Sequence, residues 1–275
     1  MRRHGFMVMI FIGMVVTIGI LGASMAMAYD EGPAGGASVT GKITFKGTPP
    51  APKLFEFEKF PQPKYCSQAD SDGKGHRVLK EVSVNNGALE DVVVYIENIE
   101  KGKPFKFNGT DVKANLCRFL VQGGPSTFVG VVVKKAELRV ENTDADPSDP
   151  KTASGVLHNP HGYEVKGASR TTMFNKPLPE KGQVVKEKIM IRKKESVMKM
   201  ECDQHGFMQV WFFPIENPYY AIVGKDGTYT IDQVPAGKYE VVAWQPILGM
   251  KEKEITVGAS GKVDVNFEFT PESSE

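Results

Sequence analysis

Residues 225–245 read KDGTYTIDQVPAGKYEVVAWQ, and the punctuation of this run decides the fold class. Asp226-Gly227 and Pro235-Ala236-Gly237 are turn signals, and the apolar segment 239–244 follows the second directly. Gly258 to Gly261 then separates it from another apolar segment at 263–269. Short apolar runs bounded by such clusters are strands. The same grammar extends upstream. Val39, Ile43 and Phe45 alternate with Thr40, Lys42 and Thr44, as in a half-buried strand. Further strands are expected at 78–79, 82–84 and 92–96, with Asn85-Asn86-Gly87 as a turn, and at 116–121, 128–133, 136–141, 184–191, 196–201 and 209–215. The Pro-rich stretch 48–63 reads as an extended loop. No helical periodicity of useful length follows residue 28, and 28 Gly with 18 Pro in 275 residues oppose an all-α chain. The pattern is that of an all-β sandwich protein.

Composition narrows the function. Lys plus Arg is 34 and Asp plus Glu is 33, so there is no basic surplus to neutralise a nucleic-acid backbone. With 41% hydrophobic residues, a mean hydropathy of −0.26 and one long apolar run, a polytopic membrane protein is excluded. That run, 6–21, follows Arg2 and Arg3 and precedes Ala26-Met27-Ala28, the small-x-small pattern of a signal-peptidase site. Residues 1–28 are expected to be a signal peptide, with an uncleaved anchor as the alternative. The mature chain, starting at Tyr29, would be nearly neutral, exported to the periplasm or secreted, and without a membrane span. The Gly- and Ala-rich residues 29–38 read as a flexible leader.

The run at 225–245 resembles the second half of a carboxypeptidase regulatory-like (transthyretin-like) domain. The openings of such domains resemble VTGKITFKG at 39–47 and LEDVVVYIE at 89–97. The resemblance implies one discontinuous sandwich, 39–99 plus 218–270, with a second β domain of 100–217 inserted between its halves. Two complete domains in sequence are the alternative, although some 50 residues are few for a sandwich alone.

The three cysteines are Cys66, Cys117 and Cys202, and no C-x-x-C or C-x-x-C-H occurs. In an exported chain two should pair. Cys202 has neighbours that suit another role, which leaves Cys66 with Cys117. Such a bridge, closing 51 residues, is worth at most about 4 kcal/mol by chain entropy. Cys202-Asp203-Gln204-His205-Gly206-Phe207-Met208 places a thiolate, an imidazole and a thioether on one short loop, and His158-Asn159-Pro160-His161 lies upstream. Two imidazoles, one thiolate and a weak axial thioether form the blue-copper ligand set.

With VENTD at 140–144, HNPH at 158–161, FN at 174–175 and CDQHGFM at 202–208, the region 100–217 resembles the cupredoxin family, amicyanin- and plastocyanin-like. The resemblance implies a Greek-key β-sandwich binding one type 1 copper through His158, Cys202, His205 and Met208. Asn159 would tie the two ligand loops together. It also implies that His205 is the partly exposed ligand through which the electron leaves. The nearly neutral net charge argues against long-range steering, so docking is expected to rest on an apolar patch around His205 that includes Phe207. His161 is expected to lie outside the ligand set, and Met198 and Met200 to share one buried face.

Two departures from the family follow. Thirteen residues separate Asp144 from His158, an enlarged loop, and Gly206 stands where proline is common. The expected function is one-electron transfer between redox partners such as a c-type cytochrome and a periplasmic oxidoreductase. A copper-handling or structural subunit of a larger exported complex, without redox cycling, is the rival, and a metal-free binding module the third reading. An enzyme is disfavoured: five histidines cannot furnish the further copper clusters of an oxidase, and no G-x-S-x-G occurs.

Overall fold

Three continuous apolar runs, rather than the alternating strands, organise the molecule. In a computed structural model, which describes residues 29–271, Val93–Ile96 is buried throughout, as are Val129–Val132 and most of Gln209–Pro214. Strands buried on both faces need apolar residues at every position. Val94 and Ile96 enter one core, and Val210 and Phe212 enter another. Val93, Tyr95, Trp211 and Phe213, with Val129, Val131, Val242 and Trp244, form a third cluster in which the two bodies meet sheet to sheet.

In the first body, Ala37–Phe45 pairs with Thr228–Val234, Lys262–Asp264, Phe267–Phe269 and Ala88–Leu89. The facing sheet runs Tyr220–Ile222, Val93–Ile96, Gly237–Gln245, Gly249–Val257. Strands from the first hundred residues and from the last fifty thus share two sheets around a core of Val39, Ile43, Leu89, Ile231, Val241 and Phe269. Gly41 is required at its place: a Cβ there would lie 1.9 Å from the Val265 carbonyl oxygen and 2.8 Å from the Tyr229 ring. Gly41→Ala is expected to cost about 1–3 kcal/mol through forced repacking, read as a lowered urea midpoint at unchanged slope.

The second body stacks a four-stranded sheet, Phe119–Val121, Thr110–Ala114, Glu137–Asn142, Val184–Lys188, on a five-stranded one, Val129–Val132, Gln209–Pro214, Val197–Cys202, Pro160–Lys166, Ser169–Asn175. Leu138, Val140, Met198, Met200, Val210 and Phe212 fill the space between them. Met198 and Met200 are fully buried, as their shared face required.

Two sequence expectations are corrected. Residues 29–38 are not a free leader, because Asp30–Glu31 pairs in parallel with Lys101–Gly102 and the Tyr29 hydroxyl donates to the Lys103 carbonyl at 2.5 Å. The ring of Tyr29, packed edge-on to Phe105 and Tyr219, supplies the hold that the small residues around it lack. Residues 48–63 are not simply an extended loop. Lys53–Glu56 pairs with His76–Leu79, with a 3-10 turn at Phe57–Lys59 and a helical turn at Pro63–Cys66 between them. This hairpin leaves the first body and packs on the second, where Phe57 and Cys66 join the core. Residues 1–28 and the signal reading lie outside the described residues. Among the described residues no helix is long and apolar enough to cross a membrane.

Candidate metal centre

Cys202 ends the strand Val197–Cys202, and the chain reverses at once to enter Gln209–Pro214. The reversal is held by its own backbone: Cys202 N–H donates to the Met208 carbonyl at 3.1 Å, His205 N–H to Cys202 at 3.2 Å, and Met208 N–H to His205 at 2.8 Å. His158 precedes the neighbouring strand Pro160–Lys166 and exchanges two backbone hydrogen bonds with Leu178. The pairing of these strands brings the two loops together. One ring nitrogen of His158, the Cys202 sulfur and one ring nitrogen of His205 all lie within 4.8 Å of one another. His158, Cys202, His205 and Met208 are each at most 1% exposed.

Both imidazoles have their tautomer set from behind. His158 Nε2 lies 2.8 Å from Oδ2 of Asp144. Burial opposes ionisation of Asp144, but its bonds from His158 and from the Cys117 and Leu116 amides outweigh that and hold the carboxyl below its usual range. An ionised carboxylate only accepts, so Nε2 carries the proton and Nδ1 presents a lone pair. That Nδ1 is buried with no hydrogen-bond partner. His205 Nε2 lies 3.1 Å from the Pro61 carbonyl oxygen, which also only accepts, and its Nδ1 is 3.8 Å from the Cys202 sulfur.

The ionisation of the thiol is set by the same imidazoles. Burial pushes Cys202 up, yet the two imidazoles bring it down to about 6, so the thiolate prevails at neutral pH. Burial alone would lower His158, but the bond to Asp144 and the nearby Cys202 sulfur raise it. The Asn159 amide donates to the sulfur at 3.3 Å, its carbonyl accepts from Asp203 N–H at 3.1 Å, and its side chain reaches Asp203 Oδ2 at 3.3 Å. Asn159 therefore links the two loops. His161 stands outside the group, stacked on Tyr163 and bonded to Asp203 and Thr172.

The expectation of an exposed His205 is overturned. His205 is fully buried, and Phe207, expected in a docking patch, is 3% exposed. The hairpin from the first body covers them: Phe55, Phe57 and Phe60 meet the Phe207 ring edge-on at 6.0, 5.9 and 5.0 Å. Arg77 lies over the same ring and donates to the Cys66 and Leu116 carbonyls at 2.8 and 2.9 Å. Cys66 and Cys117 are bonded to one another, fastening the hairpin, and Cys202 is the free cysteine. Two contributors escaped the sequence reading. Asp144 carries a signal only as the end of VENTD, and Pro61 acts through its carbonyl, which no side-chain pattern announces.

No family model matches the chain, and no curated protein does. Among solved structures, a copper-containing nitrite reductase from Thermus scotoductus SA-01 is similar over 42% of this chain and 24% of its own, at 15% identity and a TM-score of 0.28. A reduced amicyanin variant is similar over 44% of this chain and 98% of its own, at 16% identity and a TM-score of 0.26. A copper(I) form of another amicyanin variant covers the same shares at 15% identity and a TM-score of 0.24. The chain thus spans about a quarter of the nitrite reductase and nearly all of amicyanin.

Proposed function

We propose that this chain is an exported type 1 copper protein that carries single electrons, with His158, Cys202, His205 and Met208 holding the metal. The observation that carries the reading is the buried, unpartnered Nδ1 of His158, on an imidazole that has a ring nitrogen within 4.8 Å of the Cys202 sulfur and of a second imidazole whose own Nε2–H is tied down. A buried nitrogen lone pair without a donor costs about 1–3 kcal/mol, which a metal bond removes. Bound copper would supply a one-electron couple. The chain's residues do the rest: Asp144 and Pro61 fix the imidazoles, the Asn159 amide withdraws charge from the sulfur, and burial excludes water. Four protein ligands leave no position for a substrate, so electron transfer rather than catalysis fits the site. The partners would be a c-type cytochrome or a periplasmic oxidoreductase.

The test is the absorption and paramagnetic spectrum of the Cu(II)-loaded protein, followed by its midpoint potential. An intense visible sulfur-to-copper band is expected; a colourless, type 2 spectrum would defeat the proposal. Met208→Leu is expected to keep the band and raise the potential, because a weak donor to Cu(II) is lost. A copper-holding subunit without redox cycling is the second reading, favoured by the burial of His205 under the hairpin. Rapid electron exchange with a c-type cytochrome rejects it, and tight Cu(I) binding with no reversible couple supports it.

A further inference from the structure

The covering hairpin brings a charge to the candidate metal centre as well as aromatic rings. Arg77 is 2% exposed, and its guanidinium carbon lies 4.7 Å from the centre of the Phe207 ring and 5.4 Å from that of Phe57. The Phe207 ring in turn lies 5.7 Å from the ring of His205. Nη2 of Arg77 donates to two backbone carbonyls, its Nε is buried with no hydrogen-bond partner, and its Nη1 reaches Oδ2 of Asp70 at 3.3 Å. Arg118 leans on the same oxygen at 3.7 Å, and the Asp70 side chain is 47% exposed. Two cations therefore share one carboxylate that water screens, and a guanidinium keeps its charge even when buried.

A buried charge with so weak a counter-ion is costly unless other charges balance it. The negative groups nearby are buried too. Cys202 and Asp144 are both held in their ionised forms, and Arg77 is linked to Asp144 through Leu116, whose carbonyl accepts from the guanidinium and whose amide donates to the carboxylate. The other buried carboxylates among the described residues, Asp91 and Glu164, are bonded to Ser126 and to the Arg192 and Lys193 amides. Thiolate, carboxylate and guanidinium together carry one negative charge. Cu(I) would make this buried set neutral, and Cu(II) would leave it with one positive charge; without Arg77 it is Cu(II) that would give the neutral set. We propose that Arg77 sets the oxidation-state preference of the site, its buried charge favouring Cu(I) over Cu(II) and so raising the midpoint potential. The effect is on an equilibrium, and no bond is made or broken.

The inference rests on the copper reading, and its test separates the two. Cu(I) affinity is measured anaerobically by competition with bicinchoninate, and Cu(II) affinity by competition with nitrilotriacetate, in the wild type, Arg77→Gln, Arg77→Lys and Asp70→Asn. Loss of packing lowers both affinities together, whereas loss of charge moves them apart. Arg77→Gln keeps a donor for the backbone carbonyls and is expected to lower the ratio of Cu(I) to Cu(II) affinity about tenfold, the effect of a unit charge on the order of 10 Å away at an effective dielectric of about 20. In a one-electron couple tenfold is about 59 mV of midpoint potential. Arg77→Lys keeps the charge and should hold the ratio within about threefold of the wild type. An Arg77→Gln ratio inside that threefold range, or an Arg77→Lys ratio that falls as far as that of Arg77→Gln, overturns the inference. If Arg77→Gln does not fold, Asp70→Asn decides: stripping both arginines of their carboxylate is expected to raise the ratio at least about twofold, and an unchanged or lowered ratio overturns the inference. A wild type that binds copper without a reversible couple sinks the electron-carrier reading alone, because the affinity ratio is still read. One that binds neither ion sinks both.

Discussion

Cys202→Ser is expected to give a protein that still folds and shows none of the visible sulfur-to-copper absorption. The band requires a thiolate bonded to Cu(II), and a serine hydroxyl stays protonated in the environment that brings the Cys202 thiol to about 6. Folding should survive because the substitution nearly conserves volume and the backbone bonds that close the 202–208 loop do not involve the sulfur. What disappears is the sulfur that accepts from the Asn159 amide and lies 3.8 Å from His205 Nδ1. Any copper retained should therefore show an ordinary type 2 paramagnetic spectrum. The comparison is made at matched copper content, with absorption and paramagnetic resonance on the same samples. An undiminished band in the variant would place the chromophore elsewhere and remove Cys202 from the site.

The fold was legible wherever burial is periodic. Turn signals at 226–227 and 235–237 and the alternation at 39–45 mark strands that lie beside one another. The continuous runs at 92–96 and 209–215 are strands with apolar partners on both faces, one core and one interface between bodies. The hairpin Pro160–Lys166 with Ser169–Asn175 gave little signal, because its outer strand is mostly exposed and carries Ser, Arg and Thr in succession.

The candidate ligands were legible for a different reason. Cys202, His205 and Met208 sit on one loop whose spacing is visible in the sequence, whereas the cover over them is not local. Phe55, Phe57, Phe60 and Pro61 are some 140 residues away in the chain, inside a segment rich in proline and charge. Their role depends on a crossing from one sandwich to the other. Reading that segment as a loop was reasonable for its composition and wrong for its partners. The consequence is that the ring edge of His205 faces the Pro61 carbonyl rather than solvent.

The turn at residues 115–118 concealed itself similarly, and it exposes what Asp144 does. Asn115 and Arg118 exchange backbone hydrogen bonds around Leu116 and Cys117, which have φ of 49° and 52°. Two-residue hairpin turns of this kind favour Asn-Gly, and a non-glycine residue in the left-handed region costs about 1–2 kcal/mol. The offset comes from Asp144, whose carboxylate accepts the Leu116 amide at 2.6 Å and the Cys117 amide at 2.9 Å. It also accepts the Tyr65 hydroxyl at 3.0 Å, reaching the covering hairpin, and His158 Nε2. One buried carboxylate thus serves the turn, the cover and a candidate metal ligand.

Asp144→Ala is expected to destabilise the metal-free protein by about 3–5 kcal/mol, because it leaves two amides, a hydroxyl and an imidazole without their common acceptor. Asp144→Asn separates the roles. Its one oxygen can still accept from the turn, while its NH₂ cannot accept from His158, so its stability should fall less than that of the alanine variant and its metal affinity should fall about 10–100-fold. Urea unfolding of the metal-free proteins reads the first effect, and competition for copper against a chelator reads the second. If Asp144→Ala loses less than about 1 kcal/mol, the turn does not depend on the carboxylate. If Asp144→Asn binds copper as tightly as the wild type, the orientation of His158 is set by its strand alone.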